Sequence, residues 1–219
     1  MNKNIRVLSY NIFWKAYNNA LKQCKNDNCK NNTDYNIKCE HDREPLDFIA
    51  VQEATNFKLG PGIKEHYYYI RVRQRKETMI TYFSKKYDLI KYYYGNLAHN
   101  DDRPYMLLIF ENMWFINIHM PHNIHIVDEL VLLEEKIKSH ELIHANERII
   151  VAGDFNYNFF NDTNLYLFGI PIYYTQINKI LERNYDAVLD TEGPPISLKV
   201  VENIKKYASD HLPVVAVLL

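Results

Sequence analysis

The sequence predicts an α/β sandwich in which two sheets pack face to face and helices cover their outer surfaces. Three observations predict it. Short runs rich in Val, Ile, Tyr and Phe, many of them alternating, recur along the 219 residues. Helical periodicity is confined to a few segments between them. The composition, 47% hydrophobic and 24% charged, is that of a globular chain. Its length suffices to bury roughly 70% of the unfolded surface without staples.

In chain order, the strand-like runs are residues 5–13, 48–52, 67–72, 79–84, 105–111, 114–119, 148–153, 187–190 and 213–219. Residues 15–44 are polar and rich in Asn and Lys, and read as a helix start followed by a surface insertion. The clearest helix covers about residues 124–145, where Ile126, Leu130, Leu133 and Ile137 fall on one face and Glu and Lys crowd the other. A shorter helix is expected over 175–183, with Ile177, Ile180 and Leu181 on its apolar side. The triplets Tyr67-Tyr68-Tyr69 and Tyr92-Tyr93-Tyr94 read as strand residues with alternate rings in the core, against a second reading as platforms for bases. Arg71, Arg73, Arg75 and Lys76 form either a basic edge or a solvated strand face. Phe159, Phe160, Tyr166 and Phe168 fall in a loop, as an apolar wall or as core. No repeat, linker or compositional break divides the chain, so residues 1–219 read as one domain.

Lys+Arg 26 against Asp+Glu 27 leaves a formal charge of -1. That argues against a protein held on polyanions by a sequence-independent field, though not against nucleic acid as a substrate. No apolar run approaches the ~18 residues of a membrane span, and Met-Asn-Lys-Asn at the start lacks signal-peptide anatomy. The expectation is an intracellular monomer, in cytoplasm or nucleus, with its three cysteines reduced. Cys24, Cys29 and Cys39 share the polar segment with His41. Their spacings depart from the common zinc knuckles, and they read as cysteines of an insertion rather than a structural zinc site.

The polar residues that interrupt the strand pattern carry the chemistry. Asn11, Glu53 and His119 each follow an apolar run, Asp154 and Asn156 follow a fourth, and Asp210 and His211 precede the last. One such residue usually starts a turn. Five strand ends supplying carboxylates, amides and imidazoles instead converge on one rim of a sandwich, where they are hard to bury without a metal or substrate. Oxygen ligands of this kind suit Mg²⁺ or Mn²⁺, with Glu53 the best single ligand and Asp210 and Asn11 as helpers. Asp154, beside Asn156, suits the activation of water, and His119 and His211 suit donation to phosphoryl oxygens. Asp186 is a candidate to fix the tautomer of His211.

Read in order, Leu8-Ser9-Tyr10-Asn11-Ile12, Gln52-Glu53, Asn117-Ile118-His119, Gly153-Asp154-Phe155-Asn156 and Ser209-Asp210-His211-Leu212-Pro213 resemble the motifs of the endonuclease/exonuclease/phosphatase superfamily, the fold of pancreatic deoxyribonuclease. The resemblance spans residues 5–219. It implies a four-layered α/β sandwich of two mainly antiparallel sheets flanked by helices, with a metal-dependent phosphoesterase site. It assigns Glu53 to metal, Asp154 with Asn156 to the nucleophilic water, Asp210-His211 to metal and phosphate, and Asp186 to the last histidine. Arg103 is similar to a phosphate-contacting arginine of some members.

Within the superfamily, Gly153-Asp154-Phe155-Asn156-Tyr157 resembles inositol phosphatases, yet Asn158 stands where they carry arginine and their Cys-Asp-Arg signature is missing near Asp186. His119-Met120-Pro121-His122 fits a small nuclease or nucleotide phosphodiesterase better. The expected function is therefore metal-dependent hydrolysis of phosphoester bonds in nucleic acid or nucleotides. An inositol-phosphate phosphatase or sphingomyelinase-like enzyme is the alternative, and a catalytically silent binding module is the alternative outside enzymes.

Overall fold

The computed structural model describes residues 4–12, 31–74, 77–97, 103–122, 125–140, 147–156, 165–174, 186–200 and 213–219. Among these, the elements are β1 (Ile5–Asn11), α1 (Asn31–Arg43), β2 (Phe48–Gln52), β3 (Tyr67–Gln74), β4 (Glu77–Ser84), β5 (Lys91–Asn96), β6 (Pro104–Phe110) and β7 (Met113–His119). They continue with α2 (Ile126–Lys138), β8 (Arg148–Asp154), β9 (Leu165–Leu167), β10 (Ile170–Tyr174), β11 (Asp186–Asp190), β12 (Ser197–Val200) and β13 (Val214–Leu218).

The strands form two sheets, ordered β12-β13-β1-β2-β4-β3 and β5-β6-β7-β8-β11-β10-β9. Pairing is antiparallel except at the centre of each sheet, where β1 runs parallel to β2 and β7 parallel to β8. A parallel pair needs a crossover connection, and each of these two carries a helix, α1 in the first and α2 in the second. The carboxyl ends of all four central strands therefore face the same rim of their own sheet.

Strand periodicity sorts the side chains into layers. Val7, Phe48, Ala50, Phe115, Ile150, Ala152 and Val188 point between the sheets. Leu8, Tyr10, Ile49 and Val51 point outward and pack with Ile37 of α1. Ile116, Ile118, Ile149 and Val151 point outward on the other sheet and pack with Ile126, Leu130, Leu133 and Ile137 of α2. The result is helix, sheet, sheet, helix. The central strands are buried on both faces and read as continuous apolar runs. Among the described residues, no helix is long and apolar enough to cross a membrane.

Three expectations are corrected. Residues 31–43, read as part of a surface insertion, are helical, and Thr33, Asn36, Ile37 and Glu40 form a buried face at helical spacing. Ile37 is the only apolar residue of those four, so hydrophobic periodicity has almost nothing to register there. The helix expected to reach residue 145 stops at Lys138: Ser139 Oγ donates to the Lys136 carbonyl at 2.6 Å, and His140 Nε2 sits 3.1 Å from the Tyr105 hydroxyl. Strands β9 and β10 occupy part of the expected loop, with Phe168 in the turn between them and its ring edge-on to Trp114. The helix expected over 175–183, and Phe159, Phe160, Arg75 and Lys76, lie outside the described residues.

β7 and β8 approach so closely at one point that only glycine fits. A Cβ on Gly153 would stand 2.0 Å from the carbonyl oxygen of Ile118, a backbone atom that cannot swing aside. We expect Gly153→Ala to lower stability by at least about 1–3 kcal/mol, the usual toll of overpacking. Urea unfolding of the two proteins checks this, and an unchanged midpoint would refute the close approach.

Candidate functional site

The two-residue period that builds the inner core also builds the site. Continuing the inward series of each strand to its end gives Asn11 after Val7, Gln52 after Ala50, Asn117 and His119 after Phe115, and Asp154 after Ala152. Antiparallel strands reach the same rim with their first residues, which are Glu77 before Met79 and Asp186 before Val188. Cross-strand register then aligns His119, Asp154 and Asp186 in one row.

Polar contacts cross from sheet to sheet along this rim. Asn11 Nδ2 donates to Asp154 Oδ2 at 2.8 Å and reaches Glu53 Oε1 at 3.5 Å, while the Asn11 backbone N–H donates to Asp186 Oδ1 at 3.2 Å. Just below, Gln52 Nε2 donates to Asn117 Oδ1 at 2.8 Å, and Asn117 Nδ2 donates to the Ile80 carbonyl and to Thr81 Oγ1. His119 Nδ1 lies 2.5 Å from Glu77 Oε1, its Nε2 lies 3.4 Å from Asp154 Oδ2, and Arg103 Nη1 lies 2.5 Å from that same Nε2. The contact with Glu77 assigns a proton to Nδ1, because a carboxylate can only accept there. Arg103 Nη1 also stands 3.6 Å from Glu77 Oε2.

Two non-glycine residues of the site have left-handed backbone, Glu53 at φ 51° and Asn156 at φ 48°. Such conformations are uncommon outside glycine and cluster at functional positions. At Asn156 the turn lets the backbone N–H donate to Asp154 Oδ1 at 3.0 Å while Nδ2 donates to the Met120 carbonyl at 2.7 Å. The amide orientation is thereby fixed, and Asn156 Oδ1 is buried with no partner among the described residues. A buried unsatisfied oxygen beside a carboxylate is a place for a water or substrate proton.

Charge at the rim is unbalanced. Glu53, Glu77, Asp154 and Asp186 face His119 and Arg103, so carboxylates outnumber basic groups among the described residues. Burial pushes the Glu53 carboxyl above the usual range, and Glu77 adds to the shift. His119, the Asn11 amide and Arg103 oppose it. Desolvated oxygen ligands with surplus negative charge fit a hard divalent cation. Among the described residues no three His, Cys, Asp or Glu side chains are disposed to hold an ion by themselves. Asp210 and His211, the remaining expected members, lie outside the described residues.

The structure thus brings together Asn11, Glu53, Arg103, His119, Asp154, Asn156 and Asp186. Asp186, expected beside His211, accepts from the Asn11 backbone. Sequence reasoning missed Glu77 and the Gln52–Asn117–Thr81 bridge. The available signal was a carboxylate heading the run Glu77-Thr78-Met79-Ile80, since the start of an antiparallel strand lies at the same rim as its neighbour's end. Of the cysteine segment, Cys24 and Cys29 lie outside the described residues, and Cys39 is half-buried on α1. His41 Nδ1 donates to the Tyr67 oxygen at 2.8 Å, because the Tyr67 proton goes to the Leu46 carbonyl.

No protein-family model matches the chain. It is 28% identical to the uncharacterized protein L684 of Acanthamoeba polyphaga mimivirus, in an alignment covering 96% of this chain and 50% of that protein. The chain thus spans about half the length of this curated relative. Among solved structures, the endonuclease/exonuclease/phosphatase from Bacteroides vulgatus superposes with a TM-score of 0.68 at 18% identity, covering 100% of this chain and 99% of that one. Truncated TDP2 of Caenorhabditis elegans gives 0.68 at 13% identity, covering 99% and 98%. TDP2 of D. rerio, complexed with a single-strand DNA product, gives 0.63 at 11% identity and covers both chains fully.

The raised Glu53 value has a thermodynamic consequence. An acid shifted up by folding favours the native state while protonated, and its contribution is lost as pH rises through the folded value. Glu53→Gln is therefore expected to raise the melting temperature of metal-free protein at neutral pH. The gain should vanish as the pH falls below ~4.3, the ordinary glutamate value. Thermal melts across pH in chelator check this; a variant less stable than its parent at neutral pH would contradict it.

Proposed function

We propose, from the endonuclease/exonuclease/phosphatase fold that this chain shares with those structures, that it hydrolyses phosphodiester bonds in nucleic acid or nucleotides with the aid of Mg²⁺ or Mn²⁺. The observation that carries the reading is the Asp154–Asn156 arrangement. A carboxylate fixed by the donors of Asn11 and Asn156 is followed two residues on by an amide whose buried oxygen is left without a partner among the described residues. Together they suit a water molecule whose proton Asp154 accepts as the water attacks phosphorus.

The other residues take roles that their contacts support. Glu53 holds the cation with Asp210, and the Asn11 amide steadies the Glu53 carboxylate. When bound, the ion polarises the phosphoryl oxygen and stabilises the leaving oxyanion. Arg103 and His119 bind non-bridging oxygens, with Glu77 orienting the imidazole through Nδ1. His211, outside the described residues, takes the phosphate-contacting role that the sequence resemblance implies. The D. rerio protein of the same fold, with its single-strand DNA product, supports nucleic acid as the substrate class.

The test is a panel of labelled single- and double-stranded DNA and RNA, nucleotides, inositol phosphates and sphingomyelin, each with Mg²⁺ or Mn²⁺. Activity is expected on a nucleic acid or nucleotide and is expected to disappear in EDTA. Asp154→Asn keeps size and hydrogen-bonding reach but loses basicity, so turnover should fall by at least ~10²-fold while binding persists. Parental turnover in that variant would remove Asp154 from the role. No turnover on the whole panel would favour a silent binding module.

A further inference from the structure

β5 is the outermost strand of its sheet, and its three consecutive tyrosines divide by the two-residue period of a strand. Tyr93 turns to the helix-covered face, where it packs against the core and its ring lies 4.4 Å from that of His140. Tyr92 and Tyr94 turn the other way and are 44% and 50% exposed. Their rings are 19° from parallel with centroids 6.5 Å apart. Packing explains Tyr93 and leaves Tyr92 and Tyr94 in water.

Their position is not arbitrary. Asn96, the last residue of β5, pairs with Pro104, and the Leu97 N–H donates to the carbonyl of Arg103, whose guanidinium touches His119. At the usual strand rise, Tyr94 stands ~7 Å and Tyr92 ~14 Å down the edge from that point. Lys91 begins the strand, with Nζ 4.7 Å from the Tyr93 centroid. The edge strand of the other sheet, β3, approaches on the same side. Its Tyr68 is also exposed, with Lys85 Nζ 5.5 Å from the ring centroid. Lys91 thus shares the face of Tyr93, and on the other face the open edge offers Arg103, two nearly parallel rings and Lys85, continuous with the phosphate side of the site.

We propose that Tyr92 and Tyr94 form a stacking platform for the bases of a single-stranded nucleic acid whose scissile phosphate lies at Arg103 and His119. A centroid separation of 6.5 Å is about twice the ~3.4 Å rise between stacked nucleotides, a spacing that lets the two rings take alternate bases of one strand. Lys85, over the Tyr68 ring on the neighbouring edge strand, meets a phosphate beyond them. In a duplex the faces of each base are already covered by its neighbours, so the platform selects single strands. This rests on the phosphodiesterase reading of the site and gives it a substrate class. DNA and RNA present the same base faces, and the two are separated by the arms of the test.

Binding is measured by fluorescence anisotropy in the Asp154→Asn chain with dye-labelled oligo(dT), oligo(U) and a duplex of ~12 nucleotides, within the ~4–16 that single-strand grooves cover. Hydrolysis is measured in the parent chain on the same strands and on bis(para-nitrophenyl) phosphate, too small to reach the tyrosines. Tyr92→Ala and Tyr94→Ala should each weaken one or both single strands by at least about five-fold, the low end for loss of a base–aromatic stack. Tyr92→Phe and Tyr94→Phe should bind as the parent does, and neither duplex binding nor turnover of the small diester should change. Parental affinity for both single strands in the double alanine variant overturns the proposal. So does sedimentation of the chain as a dimer that buries this edge. A parent that cuts nothing refutes the phosphodiesterase reading, while the binding arm still decides the platform.

Discussion

The site depends on one constraint: carboxylates carried by two different sheets are buried within reach of each other and must each be given a donor. Asn11 meets most of that demand. Its side-chain amide serves Asp154 across the gap and Glu53 beside it, and its backbone N–H serves Asp186. A buried carboxylate without such donors neutralises itself by taking up a proton. The amide therefore gives hydrogen bonds to carboxylates at a rim that lies directly above the apolar layer. Gln52 and Asn117 repeat the device one layer deeper, where no carboxylate needs it, and there the bridge sets the spacing of the two sheets.

That spacing links fold to chemistry. The apolar layer between the sheets ends where the polar one begins, and in β1, β2, β7 and β8 both lie on the same inward series of alternate residues. A register slip of one residue in any of these strands would turn its polar end residue to the outer face and an apolar one into the rim. The strand pairing that fixes the core thus fixes the site, and the two helix-bearing crossovers fix the strand order that brings all four carboxyl ends to their rims.

Much of this was legible in the sequence. The apolar runs of the central strands marked themselves by β-branched and aromatic residues, and the stripe of α2 by its four aliphatic positions. Asn11, Glu53, His119 and Asp154 stood out because each ends a buried run with a side chain that burial penalises. Arg103, which the resemblance linked to phosphate, lies against His119. What was not legible has physical causes. Helix α1 buries Thr33, Asn36 and Glu40 beside a single isoleucine, and a polar face leaves no hydrophobic period. Glu77 precedes its strand rather than ending it, and its partner His119 is 42 residues away, a relation that only antiparallel pairing reveals. The sorting of Tyr92 and Tyr94 from Tyr93 needed the sheet edge, because alternation alone does not say which face is covered.

The spread of the site along the chain bears on when it can exist. Asn11, Glu53, Glu77, His119, Asp154 and Asp186 are spread over up to 175 residues of sequence and meet only through contacts of high sequence separation, the kind that closes late and slowly in folding. A ribosome-bound chain that has not yet emitted β11 already carries five of these side chains, but lacks the aspartate that anchors Asn11 from the opposite sheet. Partly folded forms would then lack the proposed phosphoester chemistry, and the site would appear in one step with the final closure of the sandwich.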